Sequence, residues 1–219
     1  MGDFPGSPRV LRGGIVLIEP VSSAVVRIIP LQYNPETLTR SLEVRGTTGE
    51  AGDRSEALRL TGPPRETIKL DAEIDATDQL EFPDQHPNTA TEGIHPQLAA
   101  LEMIVYPPSA QLQTNHQLAR SGTLEIVPME SPLTLFIWSK NRVVPIRLTE
   151  FTITEEAFDP ALNPIRAKVS LGMQVLTAND LEFAHKGSSL SLAHHRQKES
   201  LAAKAQQGTL NALGLTRIP

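Results

Sequence analysis

The sequence predicts a mainly β protein, an antiparallel β-barrel with one flanking α-helix and a helical tail at its C-terminus. Three observations carry that expectation. Residues 67–76 alternate without a break: Ile68, Leu70, Ala72, Ile74 and Ala76 share one face, Thr67, Lys69, Asp71, Glu73 and Asp75 the other. Residues 165–175 repeat the pattern, with Ile165, Ala167, Val169, Leu171, Met173 and Val175 opposing Arg166, Lys168, Ser170, Gly172 and Gln174. A period of two with one wet face belongs to half-buried strands of antiparallel sheets, not to buried parallel ones. Finally, 18 prolines and 14 glycines in 219 residues argue against a helical bundle, since each proline removes an N–H and clashes inside a helix.

The other elements follow along the chain. Strands at 14–18 and 24–33 are joined by a hairpin-like connection over 19–23, and a strand at 38–45 follows the Asn34-Pro35 turn. Pro96 suits the first turn of a helix, where its missing N–H has no partner to lose, and Leu98, Leu101, Ile104 and Val105 give that helix an apolar stripe. Pro107-Pro108 stops it. Residues 133–139, 142–148 and 149–155 read as a three-strand meander that turns first at Lys140-Asn141. Pro30 and Pro145 fall inside such runs, which confines them to edges or bulges. About seven antiparallel strands in one chain pack as a sandwich or close as a barrel. Two long connections, 46–65 and 77–94, read as functional or unstructured loops. The body spans 8–180. An extension over 181–219 follows, and its 188–207 stretch of Ala, Leu, Lys and Gln reads as a helix ending at Gly208.

Composition excludes whole classes of function. No run approaches 18 apolar residues, MGDFPGSPRV has neither a basic nor an apolar signal region, and there is no cysteine. The expected protein therefore lacks a membrane span and a secretory signal, has no disulfide and no thiolate site, and folds in a cytosol. A net charge of −5 gives no reason to expect nucleic-acid binding. That charge is uneven, because from Leu181 onward five cations meet two anions, a balance of +3 that leaves −8 on the first 180 residues.

Candidate chemistry is sparse. Asp71, Glu73 and Asp75 share a strand face about 7 Å apart, a separation at which paired carboxylates can act as acid and base. A solvated strand face accounts for them better, since nothing in the sequence would split their pKa values. The six histidines show no HExxH or other ligand spacing, and the neighbours His194 and His195 point about 100° apart on a helix. No P-loop, GxGxxG or GxSxG is present, and Gly13-Gly14 precedes a strand instead of opening a helix. Arg54 and Arg59, with Arg45 and Arg65, are placed to grip an anionic partner from the 46–65 loop, but Glu50, Asp53, Glu56 and Glu66 nearly cancel them. No catalytic residue, cofactor or metal is expected, and the chain reads as no enzyme.

One block of sequence is distinctive. It runs Pro132-Leu-Thr-Leu-Phe-Ile-Trp-Ser139, Arg142-Val-Val-Pro-Ile-Arg147, Ile153-Thr-Glu-Glu-Ala-Phe-Asp-Pro160 and Leu162-Asn-Pro-Ile-Arg-Ala167. With Gln32-Tyr33-Asn34-Pro35 and the alternating Leu70 to Thr77, it resembles the tube-like domain of contractile injection systems and phage tails, in the version used by the tube–baseplate adaptor. The resemblance covers about residues 8 to 180.

It implies a structural subunit: a small β-barrel with a flanking helix, six of which form a ring between the spike and the first layer of the inner tube. The expected partners are copies of itself, the inner tube protein, the spike and other baseplate or sheath proteins, in a phage tail-like particle built in the cytoplasm. Edge strands pair between neighbours in such a ring. Arg54 and Arg59 would then reach a neighbouring subunit or ring, and Asp71, Glu73 and Asp75 would line either the lumen or a ring–ring contact. The sequence departs from many adaptor-type relatives in lacking a LysM-like module, since only 39 residues follow Asp180 and no Gly-Asp-Thr-Leu-like opening occurs. Tube initiator and adaptor both stay open on that account. The extension reads either as a frayed terminus or as a docking tail that buries Leu190, Leu201, Leu210 and Leu213 on a partner, steered by its positive charge. The alternative to a ring subunit is a stand-alone β-barrel binding a small ligand or carbohydrate, which needs an aromatic-lined pocket.

Overall fold

The two alternating segments become adjacent strands in the middle of one sheet. The computed structural model describes residues 11–19, 21–46, 59–122, 131–206 and 208–218. Within them, β1 (Gly14–Ile18), β2 (Val25–Pro30), β3 (Thr39–Glu43), β4 (Arg65–Asp75), β5 (Leu133–Ile137), β6 (Val143–Phe158) and β7 (Pro164–Val175) form a single antiparallel sheet in the order β2-β1-β5-β6-β7-β4-β3. β7 is paired along both edges, with β4 from Thr67↔Gln174 to Asp75↔Arg166 and with β6 from Ile146↔Val175 to Phe158↔Pro164. Its predicted apolar face is buried from Ala167 through Val175, and Arg166 and Lys168 on the other face are exposed.

The sheet does not close into the expected barrel. β2 and β3 end it without pairing with each other, and the space between them is taken by other groups. Helix α3 (His95–Glu102), with Pro96 in its first turn as predicted, brings Ile94, Leu98 and Leu101 into the same core as Ile15, Leu70 and Val169. Just past the end of β2, the Gln32 side chain takes a strand's part at the end of β4. Its Nε2 donates to Asp75 O at 2.7 Å, and Asp75 N donates to its Oε1 at 3.0 Å. A helix and one amide thus fill the place of the pairing that would complete a barrel. Ile104 packs on this core from beyond the helix, whereas Val105 is exposed.

The three-strand meander is in fact two strands, β5 and a 16-residue β6. A bulge between Leu148 and Glu150 leaves Thr149 unpaired in the β6–β7 register. One extra residue inverts the parity of everything after it. Val144, Ile146 and Leu148 turn inward before it, Phe151 and Ile153 after it, opposite Leu171 and Val169. Read as a string, the broken alternation imitates two strands. Pro145 also departs from expectation. It lies inside this interior strand opposite Leu135, one residue before the β6–β7 ladder begins, while Pro30 sits on the outermost strand as predicted.

The flanking helix is not alone. The 77–94 connection holds α1 (Thr77–Leu80), a 3-10 turn at Pro83–Gln85 and α2 (Pro87–Glu92), and α4 (Ser109–Arg120) begins directly after Pro107-Pro108. No residue of α4 is buried, so no apolar stripe announced it. Gly46 and Leu60 form an isolated antiparallel bridge at the mouth of the first long connection, and 47–58 lie outside the described residues.

The tail helix, α5 (Lys186–Ala202), is shorter than the predicted 188–207. His185 caps it, with Nδ1 accepting from Gly187 N at 3.0 Å, and buried Ser188 donates its hydroxyl to Glu182 O at 2.8 Å. A short 3-10 turn at Leu210–Leu213 follows.

Val169 is fully buried on β7. Val169→Asp should abolish the cooperative fold, because an unpaired carboxylate there has no water and no partner. Circular dichroism and the melting transition check this, with Lys168→Ser on the wet face of the same strand expected to stay folded.

Candidate functional site

The acidic row lies where the alternation put it, along the open face of β4. It is laced to β7: Ser170 donates its hydroxyl to Asp71 at 2.6 Å, Glu73 stands opposite Lys168, and Arg166 Nε donates to Asp75 at 2.7 Å. Lys168 reaches on to Glu156 of β6 at 3.5 Å. Burial would raise the Asp75 carboxyl, but hydrogen bonds from Thr77 and the Arg166 charge outweigh it and hold it below the ordinary value. The row is a ladder of cross-strand polar contacts. Of the two loop arginines, Arg59 is exposed beside the Gly46–Leu60 bridge, and Arg54 lies outside the described residues.

Of the four leucines of the extension, one packs on the body and three are exposed. Leu190 packs against Ile18, Leu133 and Leu135 of the chain's own sheet, and Leu201 is exposed at a wall shared with Trp138. Leu210 and Leu213 remain exposed beyond α5, as do Leu215 and Ile218.

Sequence reasoning missed the group that fixes α5. Glu66 is 5% exposed on the core side of β4, and it accepts from Arg40 of β3 at 2.7 Å and from Lys198 of α5 at 2.9 Å. Burial alone would raise its carboxyl; these two hydrogen bonds and charges hold it below the ordinary value instead. The signal was available: Glu66 continues the apolar parity of Ile68, Leu70 and Ala72, and a charge on that face needs partners.

Beside it, Arg40, Arg142 and Lys198 line a cavity of about 210 Å³ with Trp138, His194 and Leu201. Burial, and then the charge of Arg40, push the Arg142 guanidinium below the usual arginine value. Trp138 stacks on Phe136 with ring centroids 5.9 Å apart. Gly13 makes room for it, since a Cβ there would come within 2.5 Å of the indole.

Edges are the other prominent feature. Among the described residues β2 pairs only with β1, β3 only with β4, and β5 covers β6 only from Val143 to Ile146. Among the described residues, the rest of β6 has a partner on one side alone. Val25, Val26 and Ile28 stand exposed on β2, and Leu42 and Val44 on and after β3. Unpaired N–H and C=O groups along apolar edges are templates for another strand.

A family model described as "Contractile injection system tube protein" matches residues 19–184. The chain belongs to the contractile injection system tube protein family. The match takes in every strand but β1 of this tube-family chain and stops at the start of α5. No curated protein matches it. Among solved structures, one described as the tail of an empty GTA particle, computed with helical refinement in C6 symmetry, is 12% identical, covering 75% of this chain and 90% of that one with a TM-score of 0.28. Among the described residues of the tube-family chain, no helix is long and apolar enough to cross a membrane, and no group of His, Asp and Glu is arranged to hold a metal ion.

Two predictions follow from the Glu66 cluster. Glu66→Ala should destabilise the fold by about 2 kcal/mol, since it strands Arg40 and Lys198 while both keep part of their hydration. Adding Lys198→Ala to that variant should cost little more, a non-additivity that urea unfolding reads. Acid should act in two stages. His194, lowered mainly by burial, takes its proton first in the unfolded chain, so stability falls as pH drops below about 6.5. Glu66, also lowered, contributes fully above about pH 4.5 and loses its contribution as pH falls further. Melting temperature against pH should show both stages, and His194→Gln should remove the upper one.

Proposed function

We propose that this chain is a structural, non-catalytic subunit of a hexameric ring that joins the inner tube of a contractile injection system to its baseplate and spike. The observation that carries this reading is the family match over residues 19–184. The open sheet supports it. In a ring, the single-sided stretch of β6 and the outer edges of β2 and β3 find strands of neighbouring subunits, so that closure into a barrel is reached by the assembly and not by the monomer. A ring has a wet lumen and a wet exterior, which suits strands with long polar faces.

The residues beyond the family match support a place at the end of the tube. Residues 185–218 add a helix held on the body and then an exposed Leu210, Leu213, Leu215 and Ile218, with a net positive charge over the extension. Such a segment suits docking on acidic baseplate or sheath surfaces, with the inner tube and spike as axial neighbours. The subunit is made in the cytoplasm and built there into a phage tail-like particle. Asp71 and Asp75, already held by Ser170 and Arg166, have the partners of a structural ladder. A groove of about 440 Å³ between β2, β4 and α3 has no aromatic side chain on its walls, unlike a carbohydrate-binding pocket.

Electron microscopy of the protein alone, and with the tube and spike proteins of the same particle, should show six-fold rings. A strictly monomeric protein that binds neither would overturn the proposal. Truncation after Ala205 should leave melting unchanged and weaken capture by baseplate proteins. Truncation after Asp180 should lower the melting temperature as well, because it strips Lys198 from Glu66 and Leu190 from β5.

A further inference from the structure

The cavity between the β5–β6 turn and α5 gathers more positive charge than its own residues balance. Arg40 and Lys198 share the one carboxylate of Glu66, at 2.7 and 2.9 Å, and Arg142 makes no ion pair among the described residues. Glu199, the only acidic residue of α5, faces His195 at 3.4 Å instead. His194 adds a buried Nδ1 that has no hydrogen-bond partner among the described residues. Three cations thus stand around one anion, partly withdrawn from water, where a further anion gains charge-assisted hydrogen bonds.

The walls are built and fixed. Gln197 Nε2 donates to Lys140 O and to Asn141 Oδ1, both at 3.2 Å, which pins α5 to the turn one residue from the hold of Lys198 on Glu66. Ser139 adopts φ 94°, a conformation that a residue with a side chain keeps only where its surroundings impose it. The turn it makes is closed by Trp138 N donating to Arg142 O at 2.8 Å, so an indole and a guanidinium line one cavity. A ligand entering such a site meets groups already in place.

The chemistry selects the ligand. The planar fork of Arg142 matches the two oxygens of a carboxylate, and the same cluster already holds the carboxylate of Glu66. Trp138 and Leu201 leave the remaining wall apolar, which suits an aliphatic neighbour of that carboxylate. Leu201 stands one residue before the end of α5, so the cavity lies at the root of the segment that carries the exposed Leu210 and Leu213.

We infer that the Arg40–Arg142–Lys198 cavity is a carboxylate-binding site, and that its occupant is a glutamate or aspartate, beside an aliphatic residue, on the acidic partner protein that the extension docks on. The occupant rests on the proposed docking, whereas the site does not. The +3 balance of the extension brings an acidic protein surface to this face, and a carboxylate carried on that surface has an effective concentration that a free acid does not reach.

Trp138 is the single tryptophan of the chain and lines the cavity, so its emission reports occupancy directly. The probe is the blocked peptide acetyl-Leu-Glu-Leu-amide, titrated into dilute full-length protein. A saturable change in emission is expected, weakened by added salt, about tenfold weaker when the peptide carries Gln in place of Glu, and lost in Arg142→Gln. Arg142→Gln should melt no lower than the native protein, because its side chain gives up no ion pair. No change, or an equal change with the Gln peptide, overturns the site; inorganic phosphate producing the same change at the same concentration overturns a carboxylate as its ligand. The source is read with Arg142→Lys, which puts a primary amine in the cavity wall. In the complex with the tube, spike and baseplate proteins of the same particle, a carbodiimide should couple that amine to a glutamate or aspartate of another protein, identified by mass spectrometry. Coupling to Glu66 alone, or to a second copy of this chain, overturns the partner as occupant. Failure of any complex to form overturns the docking and the occupant together, while the peptide titration still decides the site.

Discussion

Everything in this fold rests on β7 being paired along both edges while one of its faces stays dry. β4 and β6 hydrogen-bond to it over most of its length, and Ala167, Val169, Leu171, Met173 and Val175 supply the spine of the core. The three strands fix each other's register, because a slip by one residue would turn every apolar side chain outward. Once they are set, β3 is placed by β4, and β5, β1 and β2 are placed in turn by β6. α3 packs where the curled sheet leaves its core uncovered.

That dependence explains which parts of the structure were legible in the sequence. β4 and β7 alternate cleanly because each keeps one wet face for most of its length, so the pattern is visible in the string. β6 was misread as two strands because a bulge changes phase without changing hydrophobicity. α4 was invisible because no residue on it is buried, leaving no stripe to detect. The closed barrel was an extrapolation from strand number. Closure depends on what the two outer strands meet, and that information sits in Gln32, Ile94 and Leu98, far from the strands themselves.

The site followed the same logic. The acidic row on β4 was found because it repeats every second residue. The cluster around Glu66 was missed because its members come from β3, β4, the β5–β6 turn and α5, and only folding brings them together. Glu66 itself did break a pattern, standing at a core-parity position, yet as text it merged with the charges of the preceding loop. Of the four tail leucines, composition treated all as alike, whereas packing sends Leu190 onto the body and leaves Leu210 and Leu213 outside.

The outer strand β2 has a consequence for the life of the free subunit. Its sequence, Val-Val-Arg-Ile-Ile-Pro, exposes aliphatic side chains on a backbone edge with no partner among the described residues. Arg27 is the only charge on that strand, and Pro30 the only residue unable to donate to an incoming one. Both are among the ordinary guards against sticky edges, each used once. In the free subunit, β2 is therefore a template for unwanted pairing that one guanidinium and one pyrrolidine ring help to blunt.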